Sequence, residues 1–304
     1  METEIIQFLR KQPQVSGIGD DAAVILPETM GQHGIVQTID TLTEGVDFLL
    51  PKTAPERIGR KALAVNLSDL AAMAAVPFAV LVSVVLPKQD GAVSLAEKLY
   101  NGMKPLLEKY GVKVIGGDTN SWNGGLVISV TALGKITEHG VLRRSGGKAS
   151  DILLTTGKLG GSLLGHQFDF EPRIFEALFL NENYEIHAAI DISDGLSLDA
   201  SRLAAESKLG AVLESEKIPV SDDAVVMSKQ TGRTSLEHAL SDGEDFELLF
   251  SVAETEAARI LSEQPLREGL GTTVYRVGYL TEKTGLFLSQ DGKLQPLAAQ
   301  GFIH

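Results

Sequence analysis

The sequence predicts a mixed α/β chain of two domains, and three observations carry that expectation. Its 304 residues exceed what one hydrophobic core usually covers. Short apolar runs bounded by Gly, Pro and Asp alternate with longer stretches that open on helix-start residues. Midway, Arg143-Arg144-Ser145-Gly146-Gly147 breaks the pattern before a new apolar run, Asp151-Ile152-Leu153-Leu154-Thr155-Thr156, begins. The expected domains are therefore residues 1–148 and 149–304.

Taken in order, residues 1–10 suit a short helix, and Gly17-Ile18-Gly19-Asp20-Asp21 turns into a strand over Ala22–Leu26. Gly34–Ile39 is a second strand ending at Asp40, followed by a loop from Thr41 to Phe48. Thr53-Ala54-Pro55-Glu56 has capping-box spacing and predicts a helix to about Ala75, where Val76-Pro77 stops it. Its second half, Leu63 to Met73, is apolar almost all round, and a carboxylate such as Asp69 needs a partner there. Phe78–Leu86 is a buried strand, and Ser94-Leu95-Ala96-Glu97 repeats the capping-box pattern for a helix ending near Gly111. Val112–Ile115 is a strand delivering Gly116-Gly117-Asp118, and Leu126–Leu133 is another. In the second half, Ala188-Ala189-Ile190 leads to Asp191, and Leu196–Lys208 is a helix with Gly210 just past its end. Phe246–Val252 and Thr273–Tyr279 are strands around a helix at Glu254–Gln264, with a last hairpin near Leu286–Leu294.

Composition removes whole classes of function. The 43% hydrophobic and 22% charged residues are ordinary for a globular chain. A net charge of −13, with no basic patch, argues against nucleic acid and anionic membranes as partners. No cysteine is present, which excludes disulfides, thiolate nucleophiles and Cys-type metal sites. The acidic, amphipathic N-terminus is unlike a signal peptide, and the run Phe78–Leu86 is too short to span a bilayer, so a cytoplasmic protein is expected.

The recurring grammar is an Asp at or beside the end of an apolar segment: Asp20-Asp21, Asp40, Asp69, Asp118, Asp191 and Asp194. Two readings fit. Asp favours turns and caps, so these are separate turns; or they converge on one site. Convergence demands cations, because two unit charges 4 Å apart repel by about 4 kcal/mol at an effective dielectric near 20. Hard oxygen ligands without Cys or paired His select Mg²⁺, with a polyphosphate completing its coordination. No P-loop, kinase His-Arg-Asp loop, Gly-x-Ser-x-Gly or HExxH spacing is present. Gly157–Ser162 reads as a tight strand-to-helix turn, and Gly116-Gly117 as a place where phosphate meets bare amides. Arg144 is either a phosphate clamp or an exposed linker residue, and Trp122 either a base-stacking surface or packing.

Several stretches together resemble the thiamine-monophosphate kinase family. They are Gly17–Ala22, Asp40-Thr41-Leu42, Lys61–Met73, Gly116–Thr119, Arg144-Ser145-Gly146, Ile190–Leu196 and Gly243–Leu248, in order along most of the chain. The resemblance implies an ATP-dependent kinase of the aminoimidazole-ribonucleotide-synthetase superfamily, with two α/β domains. It also implies a homodimer in which the N-terminal mixed sheets of two subunits close a barrel. The implied reaction moves the γ-phosphate of ATP onto thiamine monophosphate. Carried over by position, Asp21, Thr38, Ile39 (through its backbone), Asp40, Thr41, Asp69, Asp118, Asp191 and Asp194 surround several Mg²⁺ ions. Tyr100, Gly117, Asp118, Arg144 and Ser193 contact ATP, while Glu244, Phe302 and the Asp47 position contact the substrate.

Three departures fall on this pattern. Asp47 stands where the family commonly has a His, Asp242 replaces the first glycine of Ser-Gly-Gly-Glu-Asp, and Phe170-Glu171-Pro172-Arg173 replaces a Pro-Pro-Arg run. Two alternatives share the metal and ATP motifs: a related kinase with another phosphorylated acceptor, and a non-catalytic Mg–nucleotide-binding regulator.

Overall fold

A computed structural model of the chain describes residues 20–25, 34–88 and 90–302. The helix expected over residues 1–10, together with Gly17 and Gly19, lies outside them. The first half contains β1 (Ala23–Ile25), β2 (Ile35–Thr43), α1 (Pro55–Ala72), β3 (Val76–Pro87), α2 (Ala92–Tyr110), β4 (Lys113–Trp122) and β5 (Val127–Lys135). Its five strands form one open sheet in the order β1-β2-β5-β3-β4. All pairs are antiparallel except β3–β4, which is parallel because α2 crosses over between them.

The second half begins with β6 (Ile152–Thr156), α3 (His166–Asp169), α4 (Ile174–Asn183), β7 (Ile186–Asp191), α5 (Leu196–Glu206) and β8 (Gly210–Glu214). It continues with α6 (Asp222–Thr231), α7 (Ser235–Ser241), β9 (Leu248–Val252), α8 (Glu254–Glu263), α9 (Arg267–Leu270), β10 (Val274–Thr281), β11 (Gly285–Gln290) and β12 (Lys293–Pro296). Seven strands form a second open sheet, β12-β11-β8-β10-β6-β9-β7.

Helix α1 sits between the halves, against β2, β5 and α2 on one side and α3, α4 and β7 on the other. That position explains why it is apolar nearly all round: it has almost no solvent face. Gly59 of α1 lies against the Leu99 carbonyl and Gly102 of α2 against the Glu56 carbonyl, and a Cβ at either would strike that backbone oxygen. This reciprocal contact lets the two helices pack at close range.

Both expected capping boxes fail. Pro55 occupies the first turn of α1 and makes Ala54 its N-cap, so Thr53 is one residue too early to cap. Gly91, in the left-handed region at φ 85°, lets α2 begin at Ala92, which puts Ser94 inside the helix. The box that does form is Thr234 with Glu237 on α7, an element not read from the sequence. Strand β8 and helix α6 were also not anticipated. Pro105 is carried within α2, and Gly111 closes that helix in a left-handed conformation, as expected.

Two strands run further than expected. β2 continues through Asp40 to Thr43, paired throughout with β5. β4 continues through Gly116-Gly117-Asp118 to Trp122, with Gly117 opposite Val82 and Asp118 opposite Ser83. The Gly-Gly-Asp segment is thus an edge strand, because ladder pairing with β3 offsets the weak strand propensity of glycine. All ten residues of β4 are exposed. Among the described residues, no helix is long and apolar enough to cross a membrane.

Candidate active site

Three acids delivered by three different elements meet where the halves join. Asp21 lies in the bend before β1, Asp69 in the C-terminal part of α1, and Asp191 at the end of β7. Each offers a carboxylate oxygen, and these oxygens lie within 4.8 Å of one another. Hydroxyls from neighbouring positions orient them: Ser68 donates to Asp191 at 2.6 Å and Thr38 donates to Asp69. Arg144 grips Asp21 with two hydrogen bonds, at 2.7 and 3.1 Å. Asp20 accepts from the Arg143 guanidinium at 2.8 Å and the Arg144 backbone amide at 2.9 Å. Arg144 is therefore tied to the acid cluster and is not a free linker residue.

The electrostatics record the crowding. Burial, then repulsion from Asp40, Asp191 and Asp21, holds the Asp69 carboxyl well above the usual carboxylate range. Asp191 is raised by burial and then by Asp21. Asp40, beside Asp69 on β2, is pushed up to about 6, first by burial and further by Asp47, Asp21 and Asp194. A compact set of all-oxygen donors that repel one another suits a hard divalent cation.

A second charged group lies further along α1. The Lys61 ammonium donates to Glu244 at 2.6 Å, to the Gln167 side-chain oxygen at 2.8 Å and to the Asp47 carbonyl at 3.1 Å. Glu244 is raised by burial against the pull of Lys61, and Asp47 and Asp194 add to the rise. Those same two acids act on Asp40, so the Lys61 group and the acid cluster lie close enough for their charges to interact. The loop carrying Glu244 is zipped to the Asp191–Gly195 turn: Glu244 donates its amide to the Ser193 carbonyl at 2.6 Å, and Phe246 to Ile192 at 2.8 Å. Glu244 itself has a left-handed φ of 56°, an unusual conformation for a residue with a side chain.

The remaining expected residues fall in several places. Asp194 pairs with Arg202, while Asp199 braces the turn by accepting from the Asp194 and Gly195 amides at 2.9 and 3.1 Å. Phe302 donates its amide to the Asp194 carbonyl at 3.1 Å. Ile39 has an exposed side chain between Thr38 and Asp40. Asp118 and Gly117 lie on exposed β4 and Tyr100 is exposed on α2, so Asp118 is not one of the three clustered acids. Trp122 donates its indole N–H to the Gly125 carbonyl at 2.7 Å.

The departures have structural partners. The Asp47 side chain accepts from the Thr43 amide at 2.6 Å, closing its own turn. Asp242 accepts from the Gly161 amide at 3.1 Å and from Arg233 at 3.2 Å, and sits 2.8 Å from the His238 ring. Glu171 accepts from the Tyr110 hydroxyl at 2.6 Å and pairs with Lys109 at 2.8 Å, strapping the second half to α2. Sequence reasoning marks Ser68 only as a polar exception in an apolar helix, and it did not single out Lys61 or Asp199. The available signal was a lysine in an apolar helix seven residues before Ser68, a spacing that puts both on one face.

The raised acids predict that cation binding at this cluster would depend on pH. A carboxyl whose folded pKa exceeds its unfolded value contributes stability fully below the unfolded value, near 3.8 for Asp40. That contribution is lost as pH rises through the folded value of about 6. Cation binding requires the deprotonated form. The gain in melting temperature on adding Mg²⁺ should thus be larger at about pH 7.5 than at about pH 5. Thermal melts in EDTA and in Mg²⁺ check this; an equal gain at both pH values would exclude this cluster as the metal site.

Comparisons with known proteins agree with this architecture. Residues 19–136 match the family model for the AIR synthase related protein N-terminal domain, and residues 126–290 that for its C-terminal domain. A thiamine-monophosphate kinase of Rhodopirellula baltica is 44% identical over 100% of this chain and 97% of its own length. One from Bacillus subtilis is 32% identical over 95% and 93%. The solved structure of AaThiL complexed with AMPPCP and TMP matches with a TM-score of 0.80 at 30% identity, covering 99% of this chain and 96% of that one. E. coli HypE, a hydrogenase maturation protein, matches at 19% identity with a TM-score of 0.74, which speaks to the fold alone. The two family-model matches, which cover most of the chain and coincide with its two open sheets, make this an AIR synthase related protein. Within that class, the chain belongs to the thiamine-monophosphate kinase family.

Proposed function

We propose that this protein is a kinase that transfers the γ-phosphate of ATP to the phosphate of thiamine monophosphate, giving thiamine diphosphate and ADP. The observation that carries the reading is the Asp21–Asp69–Asp191 cluster, with the Lys61–Glu244 pair on the same helix, in a chain of this family. The donor set fits Mg²⁺: carboxylate oxygens in a space too small for their charges, with Thr38 and Ser68 hydroxyls orienting them. Bound there, Mg²⁺ would supply charge neutralisation for the polyphosphate. Asp21, Asp69 and Asp191 would hold one such ion, with Thr38, the Ile39 backbone, Asp40, Asp118 and Asp194 as ligands to the further Mg²⁺ ions that this reading includes.

The protein's own contribution is alignment. Arg144 carries positive charge to the edge of the cluster, and Ser193, Tyr100 and Gly117 complete the proposed ATP contacts. Glu244, Phe302 and the Asp47 turn would place the acceptor. An acceptor phosphate is already ionised at neutral pH, so no strong base is required and the barrier is lowered by positioning and electrostatics. In this reading residues 1–148 bind ATP and Mg²⁺ and form the dimer, residues 149–304 complete the site, and the enzyme works in the cytoplasm. The exposed edge of β4, with Val114, Ile115 and Trp122, supports a homodimer in which paired N-terminal sheets close a barrel.

Purified protein given ATP, Mg²⁺ and thiamine monophosphate is expected to release thiamine diphosphate and ADP in equal amounts, and to sediment as a dimer. ATP binding without turnover would replace the kinase with a nucleotide-binding regulator. A monomer that turns over would remove the barrel.

A further inference from the structure

Lys61 is fully buried, yet it carries an ammonium group. Its three N–H donors are matched by three oxygens from three separate segments: the Asp47 carbonyl after β2, Gln167 on α3 and Glu244 between α7 and β9. The Phe168 ring lies 5.0 Å away and shields the charge from water. A buried cation this completely matched is held in place. Lys61 shares a helix face with Ser68, about 10 Å away along the axis of α1. One helix therefore carries both Asp69, in the acid cluster, and Lys61, about two turns earlier.

Among the described residues, Lys61 bonds Oε1 of Glu244 and not Oε2, which leaves Oε2 for a ligand. The carboxylate is aimed by an unusual backbone conformation and by the hydrogen bond that the Glu244 amide donates to the Ser193 carbonyl. We propose that Lys61 is a positioning residue for the acceptor: by fixing Glu244 and the Asp47 turn, it selects a phosphate ester that also carries a cationic or N–H-donating group. This rests on the kinase reading above, whose acceptor has a permanently charged thiazolium ring. Without Lys61, the half-buried Glu244 would lose the cation bonded to it, with Asp47 and Asp194 still nearby. Both disfavour its ionised form, and a neutral carboxyl has little attraction for a cation.

The test is steady-state kinetics on Lys61→Met, with wild type assayed in parallel. The expected result is a rise in KM for thiamine monophosphate of about tenfold or more, on the scale of one lost charge-assisted hydrogen bond, with KM for ATP within about twofold. Glu244→Gln should raise the same KM, and the double variant should be no worse than the poorer single one. If Lys61→Met does not fold, Gln167→Met removes one of the three acceptors and should raise the same KM by about threefold. Equal changes in both KM values, or effects of Lys61→Met and Glu244→Gln that simply add, would make Lys61 a packing residue and overturn the proposal. An unchanged acceptor KM would do the same. Wild type that fails to turn over thiamine monophosphate overturns the kinase reading as well; wild-type turnover with an unaffected variant overturns this proposal alone.

Discussion

Asp69→Asn is expected to lower kcat by about a thousandfold while leaving the metal-free protein at least as stable as wild type. The two halves of that expectation share one cause. Asp69 is held well above the usual carboxylate range by burial and by Asp40, Asp191 and Asp21. In the metal-free protein its charge is a liability, and asparagine keeps the shape and an acceptor for the Thr38 hydroxyl while removing that charge. With Mg²⁺ and ATP the position reverses, because a neutral amide is a weaker ligand for a hard cation. Turnover and paired thermal melts in EDTA and Mg²⁺ read both halves. Near-normal turnover would make Asp69 a structural acid. Lost activity with a large fall in metal-free stability would show that the variant had damaged the fold.

Arg173→Met is expected to destabilise the protein by about 3–5 kcal/mol, the usual result of stripping one partner from a buried ionic network. Arg173 donates to both oxygens of Glu247, at 2.5 and 2.7 Å, and reaches Glu176 at 3.1 Å and Thr272 at 3.0 Å. The Thr156 hydroxyl adds a 2.5 Å bond to Glu247. The side chains of Glu247 and Glu176 are 4% and 7% exposed, so removing the guanidinium leaves two carboxylates with almost no water. Adding Glu247→Gln to Arg173→Met should recover part of the loss, since an unpaired buried charge costs more than an unpaired amide. Denaturant melts check this, and a loss below about 1 kcal/mol would mean that solvent reaches the network. Glu247 also accepts the Ile192 amide at 2.8 Å through its backbone, so the network steadies the same pair of loops that presents Glu244.

Much of the fold was legible because hydrophobic patterning is a local property. Helix α1 and strands β3 and β5 follow from apolar runs, although β3, expected to be buried, is only partly so and leaves Leu81 and Ser83 exposed because one of its faces is not covered. The caps were misread because capping depends on which residue starts the helix. At α1 Pro55 set the start, and at α2 Gly91 did, so Thr53 and Ser94 fell out of position. The Gly-Gly-Asp segment was misread as a strand end because its role as a strand comes from β3 alongside it.

By itself, the sequence determined a mixed α/β chain without cysteine chemistry or a basic face, and a series of acids at segment ends. Asp21, Asp69 and Asp191 are recognisable one at a time from local context. Their meeting within 4.8 Å was decided only by the tertiary structure, because it depends on α1 being clasped between two sheets that bring the bend before β1 and the end of β7 to the same helix. The same holds for Lys61. In the sequence it is one lysine in an apolar helix; in the folded protein its charge is matched by a turn, a short helix and a loop that only packing brings together.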